Sequence, residues 1–189
     1  MIEYLKLDTL LNYRRGDIML LVEVNKEGIV LVKHFESLHD GDLTMIGLQP
    51  KLCPAGIWTE GYGRAMRNSK GEFLTINNTT KQQAIALSTI KTEEQAEQAL
   101  KEDLQKFSDK IRPMIKVPLN SNQFSACVSL SYNIGEGAFS KSSVLKYINA
   151  KDFSRAAESF ALWNKAQGKV LPGLTRRREA EKQLFIKTV

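Results

Sequence analysis

The hydrophobic period of the sequence changes twice, and this change restricts the fold more than any other feature. Before Glu36 and after about Ile76, apolar residues recur at the three- and four-residue spacing of helices. Between them that period disappears, and Gly, Pro and Thr alternate with aromatic residues in CPAGIWTEGYGRAM (53–66) and NSKGEFLTI (68–76). Short strands and tight turns fit this composition. The sequence therefore predicts an α+β protein in which a small antiparallel sheet lies between helices.

Capping residues mark where the flanking helices begin. Asn25 can cap a helix with Ile29, Val32 and Phe35 on one face, which places Glu36 at or just past the helix end. Thr79 or Thr80 can begin a second helix that runs through Leu87. The capping box TEEQ (92–95) begins a long amphipathic helix whose apolar positions are Ala96, Leu100, Leu104, Phe107 and Ile111.

The remaining chain is predicted to be helical. Helices are expected from about Asn122, over 143–150 and 152–164, and from about Leu174 to Phe185. We therefore expect an N-terminal extension of uncertain structure (1–24) and one domain (25–186). The expected parts of that domain are a sheet lobe (36–78), a connecting helix (92–112) and a helical lobe (113–186).

Composition narrows the partners and the compartment. The 189 residues carry a net charge of +6, which favours an anionic partner such as nucleic acid, a membrane surface or an acidic cell-wall polymer. Cys53 and Cys127 form no C-x-x-C pair, which argues against a zinc ribbon and a dense disulfide framework. Charged residues interrupt the apolar run DIMLLVEVNKEGIVLV (17–32), which argues against a membrane span and a secretory signal. Synthesis in the cytoplasm without a cleavable signal is therefore expected.

Glu36, Cys53 and Thr59 are the candidate catalytic residues. Partly apolar surroundings, such as Phe35 beside Glu36, favour the protonated carboxyl group that glycosidic cleavage requires. A bent hairpin could direct Cys53 and Thr59 toward the same site. The alternatives are a helix-capping Glu36, a buried apolar Cys53 and an ordinary strand threonine.

Two other function classes are compatible with these residues. Cys53 could be the nucleophile of a cysteine peptidase or amidase, with His34 or His39 as the base. A non-enzymatic cationic binder would instead rest on the net charge and on Arg176–Arg178, which could also form a solvated helix face with i,i+4 pairs. His34 and His39 are five residues apart, not the four that a zinc-protease helix needs, and no metal site is expected.

Four longer segments carry a family resemblance: VKHFES (32–37), LCPAGIWTEGYG (52–63), LNSNQFSACVSLSYNIGEGAFSKSSVL (119–145) and FALWNKAQGKVLPGLTRRREAEKQLF (160–185). Together they resemble the phage-type lysozymes (endolysins) of the glycoside hydrolase family that includes the T4 and P22 phage enzymes. The resemblance implies a lysozyme-like fold with a cleft between a small sheet lobe and a larger helical lobe. It also implies hydrolysis of the β-1,4 bond between N-acetylmuramic acid and N-acetylglucosamine in peptidoglycan.

The resemblance further implies roles for individual residues. Glu36 matches the general acid, Cys53 the variable Asp/Cys position and Thr59 the threonine six residues later. Relatives place the Asp or Cys closer to the Glu, so that HDGDLTMI (39–46) looks like an insertion, which could offer Asp40 or Asp42 as the second carboxylate. The implied substrate-binding residues are Asn133, Trp163 and one arginine after LPG, represented by Arg177, with core packing as the alternative for Trp163.

The resemblance leads to further expectations about partners and location. We expect a monomer that acts without a cofactor, binds peptidoglycan and has no nucleic-acid partner. The basic C-terminal helix is expected to contact anionic envelope surfaces. The protein is expected to act on periplasmic peptidoglycan after release from the cytoplasm by a separate factor such as a holin. Arg64 follows GYG where relatives often have His, so no catalytic role is assigned to it.

Overall fold

The computed structural model describes residues 22–38, 40–41 and 44–188. Most of the predicted N-terminal extension, together with His39 and Asp42, lies outside the described residues. No helix in the described part of the chain is both long and apolar enough to cross a membrane.

The described chain has helices and short antiparallel strands in separate stretches, as the α+β prediction requires. The elements are α1 (Lys26–Glu36), β1 (Lys51–Leu52), β2 (Trp58–Glu60), β3 (Arg64–Ala65), α2 (Lys81–Leu87), α3 (Glu93–Ile111), α4 (Ser121–Ile134), α5 (Glu136–Phe139), α6 (Ser143–Asn149), α7 (Phe153–Ser159), β4 (Lys165–Ala166), β5 (Lys169–Val170) and α8 (Pro172–Ile186). Two 3-10 helices lie at Arg112–Met114 and Phe160–Trp163.

The chain divides into two compact units. Of the described residues, those in Ile29–Lys106 form one, called here the sheet unit, and those up to Gly28 together with those from Phe107 form the other, called the helical unit. The boundaries fall within α1 and α3.

The predicted small sheet is present in the sheet unit. Its three strands are antiparallel in the order β1-β2-β3, and β1 pairs with β2 through Lys51 opposite Thr59 and Leu52 opposite Trp58. One face packs a core of Trp58, Met66, Leu74 and Ala84, against which Leu52 lies. Trp58 Nε1 donates to the carbonyl oxygen of Thr79 at 2.9 Å, so the indole is satisfied inside the core.

Three predicted helix starts are confirmed by their caps. Asn25 Oδ1 accepts the backbone N–H of Gly28 at 2.9 Å. Thr80, and not Thr79, caps α2 in a reciprocal capping box with Gln83. Thr92 and Gln95 bond each other's backbone N–H at the start of α3. Local side-chain chemistry therefore determines these boundaries.

The hairpin β4–β5 and the short helix α5 were not predicted, and one predicted helix was too long. The helix expected over 152–164 ends at Ser159 and continues as a 3-10 turn. The hairpin β4–β5 turns at Gln167 and Gly168, whose φ angles of 49° and 77° are both positive, as in a type I′ turn. Its strands are two residues long, and α5 is four, which is too short for a hydrophobic period to show.

Two of the three arginines in Arg176–Arg178 are buried in the helical unit, although the sequence pattern was compatible with a solvated helix face. Arg177 and Arg178 are 3% and 1% exposed, and only Arg176 of the three arginines is exposed. Glu181 is fully buried: Arg177 Nε lies 3.1 Å from its Oε1, and Arg178 Nε lies 2.9 Å from its Oε2. The i,i+4 pair of the alternative reading is thus present, but the solvated face of that reading is limited to Arg176. Two guanidinium groups and one carboxylate compensate each other inside the unit.

Glu181→Gln should therefore destabilise the protein strongly. The substitution leaves two buried guanidinium groups without their carboxylate, a change that typically costs about 3–5 kcal/mol. We expect thermal unfolding, followed by circular dichroism, to shift down by roughly 10 °C.

Glu179→Gln is the matched control, because Glu179 is exposed on the same helix and bonds only Gln183 among the contacts found. An equal shift for both variants would contradict the assignment of stability to the buried network.

Candidate active site

Glu36 is the last residue of α1, as predicted. The chain leaves the helix through Ser37, whose φ is 59°, and Ser37 N donates to the carbonyl oxygen of Lys33 at 3.1 Å. The half-buried carboxylate lies against the loop after β2, where Glu36 Oε2 is 3.1 Å from the point that a Cβ on residue 63 would occupy. Gly63 also has a φ of 83°, so a glycine is needed there for two reasons.

Contacts of Lys33 hold the last turns of α1 in place. Lys33 Nζ lies 2.9 Å from Glu97 Oε2 and 5.2 Å from the centroid of the Tyr62 ring. Tyr62 in turn donates its hydroxyl to Glu93 Oε1 at 3.1 Å. The hydrogen bond to Glu97 raises the pKa of Lys33, and burial raises the pKa of Tyr62. Helix α1, the loop that holds Gly63 and helix α3 are thereby tied together within the sheet unit.

Cys53 and Thr59 lie on the same face of the β1–β2 hairpin. Lys51 pairs with Thr59, and Cys53 N donates to the carbonyl oxygen of Ile57 at 2.9 Å, which continues the antiparallel register. Alternate side chains point to opposite faces, so Cys53 and Thr59 project away from the face on which Leu52 and Trp58 pack. The structure therefore brings these two predicted residues together.

Thr59 is held more tightly than Cys53. Thr59 is 5% exposed, and its Oγ1 donates to the carbonyl oxygen of Lys51 at 2.9 Å. Cys53 is half-buried with a free thiol. Cys127 is fully buried in the other unit, where desolvation raises the pKa of its thiol far above the ordinary value. Of the two cysteines, only Cys53 has the exposure that reaction with a solute requires.

Sequence reasoning assigned no role to Glu60, which fixes the strand that carries Thr59. Its buried carboxylate accepts hydrogen bonds from Ser88 Oγ at 2.8 Å, Thr89 N at 3.0 Å, Thr89 Oγ1 at 3.1 Å and Ile90 N at 3.3 Å. A carboxylate that is this well bonded is stable without a cationic partner. The sequence signal that could have indicated this role of Glu60 is an acidic residue inside a strand. The residues next to it are buried in the structure.

Several described residues between Glu36 and Cys53 are held by hydrogen bonds. Asp40 Oδ1 accepts the N–H of Gln49 at 3.3 Å, and Gly41 N donates to the Gln49 carbonyl oxygen at 2.9 Å. Leu48 N donates to the carbonyl oxygen of Lys91 at 2.8 Å, which attaches the loop to the segment before α3. Asp40 is thus engaged by its own loop.

Arg64 is used in ion pairs with helix α3. Its Nε lies 2.7 Å from Asp103 Oδ2, and its Nη2 lies 3.2 Å from Glu102 Oε2. These contacts favour a structural role for the residue that stands where relatives often have His.

The predicted substrate-binding residues belong to the helical unit and differ in exposure. Asn133 is exposed near the end of α4, and Trp163 is half-buried at the end of a 3-10 helix. Arg177 is buried, and its guanidinium faces Glu181 and the carbonyl oxygen of Ser129. A buried arginine with these contacts is poorly placed to meet a substrate from solvent, so its observed position favours structural support.

The comparisons with known proteins agree with this fold. The family model described as phage lysozyme matches residues 44–181. The endolysin of Acyrthosiphon pisum secondary endosymbiont phage 1 is 38% identical over 168 residues, which are 87% of this chain and 98% of that protein. The structure of a P22 lysozyme mutant has a TM-score of 0.68 at 32% identity and covers 88% of this chain and 100% of its own. The muramidase domain of SpmX from Asticaccaulis excentricus has a TM-score of 0.67 at 30% identity, and the match covers 88% of this chain and 99% of that domain.

The chain therefore belongs to the phage lysozyme family. It is a lysozyme-type glycoside hydrolase, a peptidoglycan-degrading muramidase of the endolysin type. The resemblance seen in the sequence and the expected lysozyme-like α+β fold are both confirmed.

Gly63→Ala should impair activity by displacing the Glu36 carboxylate. A methyl group at residue 63 would lie 3.1 Å from Glu36 Oε2. The carboxylate would then have to move by a few tenths of an ångström, and misplacing a reacting group by about 1 Å can lower the rate roughly 10²-fold. We expect a loss of at least about 10-fold in the release of reducing ends, measured at a temperature where the variant is folded.

Gly71→Ala is the control that distinguishes the effect of the contact with Glu36 from the effect of backbone strain at a positive φ angle. Gly71 has a φ of 81°, close to the 83° of Gly63, but nothing lies within 4 Å of a Cβ there. Both variants carry the same strain, so only Gly63→Ala should lose activity. Equal losses would mean that the contact with Glu36 is unimportant.

Proposed function

We propose that Glu36 is the general acid with which this muramidase cleaves the β-1,4 bond between N-acetylmuramic acid and N-acetylglucosamine. The observation that carries the proposal is the placement of Glu36 at the end of α1, with its carboxylate against Gly63. Cys53 and Thr59 share one hairpin face in the same unit. A proton donor and a second polar group are the two requirements of glycosidic hydrolysis.

In this mechanism the protonated Glu36 gives its proton to the glycosidic oxygen, which leaves as the hydroxyl group of the released sugar. Positive charge then develops at the anomeric carbon, and a water attacks that carbon from the opposite face. Thr59 donates its own hydroxyl proton to the Lys51 carbonyl oxygen, so its Oγ1 is oriented as an acceptor that can position this water. The proton that the attacking water loses passes to the surrounding water, with Cys53 as base or electrostatic partner, and Glu36 regains its proton from solvent.

The second catalytic group, which is Cys53 in this proposal, decides the stereochemical course of the hydrolysis. A neutral thiol is a poor substitute for a carboxylate, so the proposed reaction is a single displacement that inverts the anomeric carbon. Much of the catalysis then depends on Glu36 and Thr59.

Glu36→Gln should be close to inactive, because the amide cannot supply the proton. Loss of a general acid typically costs about 10²- to 10⁴-fold in rate. The measurement is digestion of purified peptidoglycan, with new reducing ends and new free amines scored in the same samples. Free amines that persist in the Glu36→Gln variant would favour the rival peptidase or amidase with Cys53 as nucleophile.

Variants of Cys53, and of the aspartates that could replace it as the second catalytic group, are tested in the same peptidoglycan digestion. Cys53→Ala should lose activity, whereas Cys53→Asp should keep it by restoring a carboxylate. Asp40→Asn should remain active, because Asp40 is engaged by the backbone of Gln49. If Cys53→Ala were fully active and Asp40→Asn or Asp42→Asn were inactive, the second catalytic role would be reassigned to that aspartate of the insertion.

For substrate binding we propose Asn133 and Trp163, which reach solvent, while Arg177 supports the helical unit through Glu181. An aromatic ring such as that of Trp163 can stack on a sugar, and an amide can bond its polar groups.

The proposed contact with anionic envelope surfaces rests on fewer arginines than the sequence suggested. Arg176 is exposed, as are Lys165 and Lys169 on the adjacent hairpin, and no acidic residue occurs between Glu158 and Glu179. Changing these three residues to Gln should weaken binding to anionic phospholipid vesicles. The same charge change at the exposed Lys70, Lys116 and Lys141 should not. Equal effects would indicate only a response to net charge.

We further propose that the protein is made in the cytoplasm and reaches periplasmic peptidoglycan through a separate factor such as a holin. The charges within residues 17–32 support this route. Cells expressing the chain alone should remain intact, and co-expression of a holin should lyse them. Lysis by the chain alone would contradict the proposal.

A further inference from the structure

The segment that leads into α1 is attached to α4 of the helical unit. Asn25 N donates to Ser125 Oγ at 3.0 Å, and Asn25 Nδ2 donates to Asn122 Oδ1 at 2.7 Å. Gly28 lies so close to the same serine that a Cβ on residue 28 would be 2.6 Å from Ser125 Cβ. The chain before α1 is therefore held against the helical unit.

Arg112 fixes the position of Val22, the first described residue of this segment. Its Nη1 donates to the carbonyl oxygen of Val22 at 2.8 Å, and its guanidinium carbon lies 4.8 Å from the centroid of the Phe124 ring. A hydrogen bond to a carbonyl oxygen and a cation over an aromatic ring are both favourable, so two contacts hold the guanidinium group. The backbone of Val22 is thereby held beside the 3-10 helix that begins at Arg112.

Val22 forms part of the wall of an apolar cavity in the helical unit. The cavity has a volume of about 130 Å³, and its wall includes Val22, Arg112, Ile115, Val117, Leu119 and Phe124. The last four are 3% to 8% exposed. Of the side chains that line the cavity, only that of Arg112 is polar. Water finds few hydrogen-bond partners on such a wall, whereas an aliphatic side chain is stabilised there by leaving water.

The sequence directly before Val22 supplies aliphatic side chains. Residues 18–21 read Ile-Met-Leu-Leu. Successive Cα atoms are about 3.8 Å apart, so the Cα atoms of Leu20 and Leu21 lie within about 8 Å of the Cα atom of Val22. Because Val22 is held at the cavity wall, both leucines can reach the cavity without an intervening loop. The covalent link also gives them a high effective concentration at the cavity.

We propose that the cavity binds residues 18–21 of the same chain, with Leu20 and Leu21 as the side chains that enter it. The residues before α1 then belong to the core of the helical unit, although they precede the catalytic helix. An apolar segment bound in this way cannot insert into a membrane at the same time. The proposal is independent of the roles of Glu36, Cys53 and Thr59.

The test is thermal unfolding of the full chain. Leu20→Asp combined with Leu21→Asp would place two carboxylates in an apolar cavity, so the unfolding midpoint should fall by roughly 5–10 °C. The matched control is Leu10→Asp combined with Leu11→Asp, which makes the same chemical change in a second Leu-Leu pair farther from Val22. The control pair should shift the midpoint by less than about 2 °C.

A smaller substitution keeps the comparison valid if the aspartate pair at 20 and 21 does not fold. Leu20→Ala combined with Leu21→Ala should then lower the midpoint by roughly 3–6 °C, and Leu10→Ala combined with Leu11→Ala should not.

A variant of the cavity wall tests whether the leucines act through the cavity. Val117→Phe fills the cavity from its wall and should displace the segment. In that background the aspartate pair at 20 and 21 should lower the midpoint much less than it does in wild type.

Four outcomes would overturn the proposal. The first two are equal shifts for the pairs at 10–11 and 20–21, and no shift for the pair at 20–21. The third is a wild-type midpoint that rises with protein concentration, which would mean that the cavity takes the segment of a second copy. The fourth is an unchanged midpoint with loss of binding to anionic phospholipid vesicles in the pair at 20–21, which would mean that the segment binds lipid.

Discussion

The fully buried carboxylate of Glu181 is the interaction on which the helical unit depends. A lone buried charge costs several kcal/mol, yet two guanidinium groups and a serine hydroxyl converge on this one. Arg177 and Arg178 start on α8 and reach toward α4, so that two helices distant in sequence share one charge cluster. The cluster therefore joins α4 and α8 through polar contacts. It also orients Asn133 at the surface.

The sheet unit uses a second buried carboxylate in a different way. Among the described residues, Glu60 is found with no cationic partner and is stabilised by hydroxyl and backbone donors from residues 88–90. This fixes β2, the strand that carries Thr59, while the contacts of Lys33 fix the end of α1, where Glu36 lies. The catalytic candidates are thus placed by neighbours that take no part in the chemistry. Gly63 completes the arrangement by leaving room for the Glu36 carboxylate.

In the proposed mechanism a cysteine takes the position of the second catalytic group, which has chemical consequences. Its neutral thiol offers neither the charge of a carboxylate nor its basicity, so the reaction relies more on a well-placed acid and a well-oriented water. The observed geometry suits this division, since the Thr59 hydroxyl is anchored to the Lys51 carbonyl oxygen whereas Cys53 is free and more exposed. The long insertion supplies Asp40 nearby in sequence, but its carboxylate closes its own loop.

The sequence by itself determined the helix starts, the position of the sheet and the family. Capping boxes at Thr80 and Thr92, the loss of helical period after Glu36 and the quoted motifs are local signals, and local signals can be read without coordinates. Only the tertiary structure decided that Arg177 and Arg178 are buried, that Glu60 is a structural acid and that Asn133 accepts a hydrogen bond from Arg178. Each of these depends on a partner far away in sequence, such as Ser129 for Arg177 or Ser88 for Glu60. Whether a charged side chain is solvated or buried is set by the groups that folding brings around it, and no local pattern contains that information.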